Sequence, residues 1–266
     1  VSGIVLPQEL ADRAREINAG HLEPVTPRDA ATVVILRPGP EVYLLRRKTT
    51  MAFAAGAYVF PGGSVDPRDA DHSVAWAGPT PAQWGEAFTA DERTARGLVC
   101  AAVRETFEES GVLLAGPGPD SVVEDTTGDD WEADRLALID RSLAFADFLA
   151  KRGLVLRSDL LKPWAHWITP ELELRRFDTR FFVAVLPAGQ RTRDVGGEAD
   201  QVAWQRPAEA IELAHEGKIF LMPPTYQTLS ELAAHDSVES VLAAEREIVT
   251  ILPRAVEVDG EMRLMT

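Results

Sequence analysis

Arg104-Glu105-Thr106-Phe107-Glu108-Glu109-Ser110-Gly111-Val112 is the stretch on which the reading of this chain turns. The apolar spacing before it predicts a helix that starts near Asp91, with Asp91 or Thr89 as its cap, and ends at Gly111. On that helix Glu105, Glu108 and Glu109 stand at i, i+3 and i+4, so the three carboxylates share one face. Like charges so close repel unless a positive charge sits among them. Hard divalent cations that prefer oxygen ligands, Mg²⁺ or Mn²⁺, answer that need. Taken alone, Glu-x-x-Glu-Glu is common on solvated helix faces. Its neighbours sharpen it: Arg104 places a cation beside the carboxylates, Gly111 stops the helix and Val112 returns to the core.

Working outward, Ala30–Leu36 and Glu41–Arg47 read as a hairpin about Pro38-Gly39-Pro40, and Tyr58-Val59-Phe60 reads as a short strand that stops at Pro61-Gly62-Gly63. Residues 64–90 are rich in Asp, Pro, Gly and Ala and read as an inserted loop with a short helix near Pro81–Phe88. Val112–Leu114 is predicted as a strand and Trp131–Lys151 as one helix. Trp164–Ile168, Thr179–Leu186 and Val202–Trp204 follow as strands. Helices at 8–18, 207–216, 224–234 and 238–247, and a hairpin at Asp259-Gly260, complete the reading. The pattern predicts one α/β domain over 1–266: an α/β/α sandwich around a mixed sheet, with the insert at 64–90 and a helical extension at 216–254.

The 266 residues carry 27 Lys and Arg against 42 Asp and Glu, a formal net charge of -15. Such a surface repels nucleic-acid backbones and favours a small-molecule partner held in a local basic pocket. The single cysteine, Cys100, fits a reducing compartment, and no stretch reads as a membrane span or a signal peptide, so the expected location is cytoplasmic. A homodimer is the expected assembly if the chain self-associates.

The nine residues resemble the second half of the Nudix box, Arg-Glu-U-x-Glu-Glu-x-Gly-U with U a bulky aliphatic residue; Thr106 departs at the first U. Gly62-Gly63-Ser64-Val65-Asp66 resembles the first half, and the resemblance covers about residues 30–215, which it implies as the core of the domain. Gly63 and Arg104 are 41 positions apart, 27 more than in the family pattern, and the family's intermediate glutamate falls nearest Asp69, which is not carried over. The resemblance implies a metal-dependent hydrolase that cuts the diphosphate of a nucleoside diphosphate linked to another moiety. It implies Glu105, Glu109, Glu108 and the Gly63 carbonyl as ligands of Mg²⁺ or Mn²⁺, Glu108 alternatively as the water-activating base, and Arg104 as the group that orients the carboxylates. Glu198, on a glycine-rich loop before Trp204, is the second candidate base, with Asp200 its nearest rival.

Gly56-Ala57-Tyr58-Val59-Phe60-Pro61-Gly62-Gly63, Met51-Ala52-Phe53, Trp76 in the insert and Met222-Pro223-Pro224-Thr225 resemble the coenzyme A diphosphatases that carry a long insert inside the box. Coenzyme A or acyl-coenzyme A, cleaved to 3′,5′-ADP and phosphopantetheine, is therefore the expected substrate. NADH, ADP-ribose or a nucleoside triphosphate, a non-catalytic nucleotide sensor, and a scaffold module are the other readings. Arg46, Arg47 and Lys48 are the first candidates for substrate phosphates, Arg175, Arg176 and Arg180 the second, and Arg191 and Arg193 lie before Glu198. Trp164, Trp167 and Trp204 read as core.

Overall fold

The computed structural model describes residues 3–48, 50, 55–193 and 199–266. Glu198, Gly196-Gly197 and Met51-Ala52-Phe53 lie outside the described residues. The side chain of Asp200 lies outside them as well.

The Arg28–Arg37 strand is the spine. It pairs in parallel with Phe177–Val185, with Val33 opposite Phe182 and Ile35 opposite Ala184. Its alternating side chains build two layers. Ala31, Val33 and Ile35 enter a core shared with Leu98, Val99, Ala102 and Phe107 of the Glu92–Ser110 helix. Val34 and Leu36 enter a second core with Ala210, Leu229, Leu232 and Val241 from the C-terminal helices. The sheet is mixed. Among the described residues it has nine strands, including Leu161–Ile168, Glu41–Arg47 and Ala199–Gln205, and the α/β/α sandwich expected from the sequence is what forms. A third, small cluster joins Ala11 and Ala14 of the Gln8–Asn18 helix to Met262 of a C-terminal hairpin. Asp259 and Gly260 turn that hairpin with positive φ of 51° and 81°. No helix among the described residues is long and apolar enough to cross a membrane.

The insert is more than a surface loop. It forms a 3-10 turn at Pro67–Ala70, a two-residue strand at Trp76–Ala77 and a helix at Pro81–Phe88, capped by Thr80 and Gln83. Trp84 and Phe88 both pack against Phe182 in the main core, one tilted and one edge-on, with centroids 5.4 and 5.1 Å away. Two expectations fail. Trp131–Lys151 is two helices, Asp129–Ile139 and Phe145–Arg152, broken by a turn in which Ser142 N–H bonds Asp140 Oδ1 and Arg141 takes a φ of 65°. Apolar periodicity continues through the break, because Leu138, Leu143 and Phe145 all face the core, and so it hid the turn.

Val112–Leu114 is buried and apolar but is not a strand. Its backbone is satisfied by a side chain: the Gln190 amide accepts from Leu113 N–H at 2.8 Å and donates to the carbonyls of Leu113 and Val123 at 2.9 and 2.6 Å. Removing that amide leaves three buried backbone groups unpaired. Gln190→Ala is expected to lower unfolding free energy by about 1–3 kcal/mol, read from urea denaturation; an unchanged midpoint would show that water replaces the amide.

Candidate active site

The Glu92–Ser110 helix begins where Asp91 accepts a hydrogen bond from Thr94 N–H and ends at Gly111, whose φ of 75° suits a residue without a side chain. Thr106 is tolerated at its apolar position because it is fully buried and its hydroxyl bonds the Ala102 carbonyl at 2.7 Å. The helix lays its carboxylate face against Gly62–Ser64, a strand held antiparallel to Ala30–Thr32. The approach is close. A Cβ on Gly63 would lie 2.5 Å from the Glu105 carboxylate, and one on Gly62 would lie 2.6 Å from the Ala31 carbonyl oxygen. Glycine is needed at both positions for this contact. Gly62 N–H then donates to Glu109 Oε2 at 2.8 Å.

Arg104 organises the floor of the site. Its Nη1 donates to Glu105 Oε1 at 2.7 Å and Glu108 Oε1 at 3.0 Å. Its Nη2 donates to the Ser64 carbonyl at 3.1 Å and to Asp69 Oδ2 at 2.9 Å, and its Nε donates to Asp69 Oδ1 at 3.1 Å. Asp69 is 2% exposed. Its own backbone turn fixes it, because Asp66 N–H donates to its Oδ2. Asp69, set aside in the sequence reading, is thus a structural member of the site. The signal was present in its spacing from Gly63, but the residues inserted behind it and the shorter side chain obscured it.

Burial pushes Glu105 up to about 7, with Arg104 acting against the shift and Glu108 adding to it. Burial also raises Glu108, against the pull of Arg104. Burial opposes the charge on Arg104, but Glu105, Asp69 and Glu108 outweigh it and hold the guanidinium firmly protonated. Arg135, 1% exposed, braces the helix end by donating to the Glu108 carbonyl at 2.7 Å, and is held in turn by Glu132.

The donor set is carboxylate and carbonyl oxygen, without thiolate or imidazole, and suits a hard divalent cation. Glu105 and Glu108 already share one cationic atom, Arg104 Nη1, so their oxygens surround a common positive charge. In this arrangement they turn to Arg104, and Glu109 turns to Gly62. Among the described residues no three His, Cys, Asp or Glu side chains stand together as a ready metal cage. The residues present fit such a cation.

These groups line a cleft of about 440 Å³ together with Leu45, Arg47, Phe60, Arg68, Arg141 and Arg175. Of the three cations expected near phosphate, Arg47 lines the cleft and Arg46 and Lys48 do not. Strand alternation explains the split, since Leu45 and Arg47 share one face and Arg46 takes the other. Arg176 is buried on the Thr169 and Val25 carbonyls, and Arg180 is buried on Asp29 and Asp178; both are structural. Arg193 reaches Glu132 at 3.3 Å and packs on Gly111. Trp164 is buried and bonded to Glu231, and Trp204 packs on Tyr43, as expected of core residues.

Helix, glycine strand and acidic cleft together form a Nudix-type site. The family described as the NUDT19 Nudix domain matches residues 86–232, more than half of the chain. Acyl-coenzyme A diphosphatase NUDT19 of Xenopus laevis is 30% identical over 230 residues, covering 72% of this chain and 59% of that protein. The protein of the same name from Homo sapiens is 31% identical over 239 residues, covering 74% and 62%. The chain thus spans about three fifths of these relatives. The crystal structure of a NUDIX hydrolase from Alicyclobacillus acidocaldarius superimposes with a TM-score of 0.73 at 29% identity, covering 84% of this chain and 98% of that one. The chain belongs to the Nudix hydrolase family, in the group of the NUDT19 Nudix domain.

Two substitutions separate support from chemistry. Gly63→Ala is expected to lower turnover at least ~10²-fold with the fold intact, because its methyl meets only the movable end of Glu105; circular dichroism and steady-state kinetics on one preparation check this. Asp69→Ala leaves part of a buried guanidinium unpaired and is expected to destabilise by about 3 kcal/mol, read from thermal unfolding.

Proposed function

We propose that this chain hydrolyses the diphosphate of coenzyme A or an acyl-coenzyme A to 3′,5′-ADP and a phosphopantetheine product. The observation that carries the reading is the Glu105–Glu108–Glu109 face held against Gly63 by Arg104, on a chain of this family. Relatives named acyl-coenzyme A diphosphatase support the substrate class. So does a cleft whose walls, Phe60, Leu138, Leu143 and Phe177, are apolar enough for a pantetheine or acyl arm.

Glu105, Glu108, Glu109 and the Gly63 carbonyl would hold Mg²⁺ or Mn²⁺. When bound, the cation neutralises diphosphate charge and lowers the pKa of water near phosphorus. The remaining work belongs to the chain. Gly62 N–H and Arg104 aim the carboxylates, and Arg47 faces the cleft where phosphate charge would gather. Glu108, as the alternative to holding the cation, would take the proton of the attacking water, with Glu198 as its rival. We also propose that the working location is the cytoplasm, that the partner is a small nucleotide rather than nucleic acid or a membrane, and that any self-association is as a homodimer.

Glu109→Gln is expected to abolish turnover by at least ~10²-fold while the protein stays folded, and excess chelator is expected to stop the wild type. Added Mg²⁺ is expected to raise the melting temperature of the wild type and less so that of the variant. The deciding comparison is coenzyme A, NADH and ADP-ribose under identical Mg²⁺, scored for released 3′,5′-ADP, AMP or ribose phosphate. Equal rates on all three would refute the coenzyme A reading and leave a hydrolase of other substrates.

A further inference from the structure

Most of the cleft's arginines already have work to do. Arg104 holds the carboxylates, Arg135 is locked by Glu132 and the Glu108 carbonyl, and Arg68 lies on Asp66. Arg175 sits over the Phe177 ring, 5.2 Å from its centroid. Arg141 differs on two counts. Among the described residues its guanidinium meets no carboxylate, carbonyl or ring, although it lines the same cleft. Its backbone, with φ at 65°, is in the left-handed region that side chains disfavour.

That conformation is imposed from all sides. Arg141 N–H donates to the Leu138 carbonyl at 3.0 Å, and Leu143 N–H to the Ala137 carbonyl at 3.0 Å. Ser142 N–H bonds Asp140, and Arg68 Nη1 grips the Arg141 carbonyl at 3.1 Å. A glycine would relieve the strain at this position, yet the chain carries a long cation here, on a residue that lines the cleft. Backbone strain of this kind occurs in tight turns, as at Asp259, and also clusters at ligand sites, and Arg141 combines it with a place on the cleft. Arg104 is buried beside the carboxylates, whereas Arg141 is exposed to solvent. An exposed cation on the cleft that does not engage the carboxylates suits a part of the ligand other than the bond being broken.

We infer that Arg141 is a specificity residue that binds a phosphomonoester carried by the substrate outside its scissile diphosphate. On the coenzyme A reading proposed above, on which this inference rests, that group is the 3′-phosphate. The turn between the two helices, rather than the basic run at 46–48, then supplies the cation that distinguishes this substrate from dinucleotides without the extra phosphate. Recognition is charge-assisted and does not depend on the acyl arm.

The test uses Arg141→Gly, because glycine suits the left-handed backbone and removes only the side chain. Coenzyme A and 3′-dephospho-coenzyme A are compared as kcat/KM, with Mg²⁺ held constant. The expected result is a wild type that prefers coenzyme A. The glycine variant is expected to lose that preference by roughly ten- to a hundred-fold, through KM more than kcat, without a lower melting temperature. Arg141→Lys is expected to restore part of the preference. A glycine variant that keeps the full wild-type preference overturns this assignment and leaves the coenzyme A reading standing. A wild type that does not distinguish the two substrates overturns it as well, whereas the coenzyme A reading falls only if coenzyme A is cut no faster than NADH and ADP-ribose.

Discussion

A guanidinium carried into the interior must find enough negative partners to replace its lost water. Arg104 does so with Asp69, Glu105, Glu108 and the Ser64 carbonyl. That single requirement ties together three segments distant in sequence: the glycine strand, the turn opening the insert and the long helix. It also gives the carboxylates their aim. Three glutamates on a helix face would otherwise splay into solvent to escape one another. The close strand at Gly62–Gly63 completes the arrangement, because only there can backbone approach near enough to meet Glu105 and Glu109. The same burial that raises Glu105 and Glu108 makes a dication a favourable guest among them.

What the sequence made legible was whatever has short-range physical cause. The long helix and its Asp91 cap, the i, i+3, i+4 carboxylate face, the hairpin at Asp259-Gly260 and the layered sheet all follow from periodicity and turn chemistry. What it hid depends on partners far along the chain. Val112–Leu114 looks like a strand because it is buried, yet Gln190, far downstream, satisfies it. Trp131–Lys151 looks like one helix because the turn at Asp140–Ala144 keeps the apolar rhythm. Arg46 and Arg47 look equivalent until strand alternation sends only one into the cleft. Asp69 becomes interpretable only once Arg104 is seen reaching across to it, and Arg141 only once its backbone angle is known.

The folded insert bears on architecture more broadly. The glycine strand with the turn after it and the long helix are joined by the bonds of Arg104 to Ser64 and Asp69 and of Gly62 to Glu109 rather than by a short stretch of chain, so the site behaves as two half-motifs clasped together. Lengthening the connection from the family's usual span to 41 positions adds only ~1 kcal/mol of closure entropy, since that cost grows with the logarithm of length. The clasp is worth more than the tether. The intervening stretch is thereby released from the duty of holding the halves in register, and its sequence is open to drift toward other ends. Here it has acquired Trp84 and Phe88 and become part of the core. In another lineage the same seam would accept a different passenger, and the chemistry beneath it would not notice.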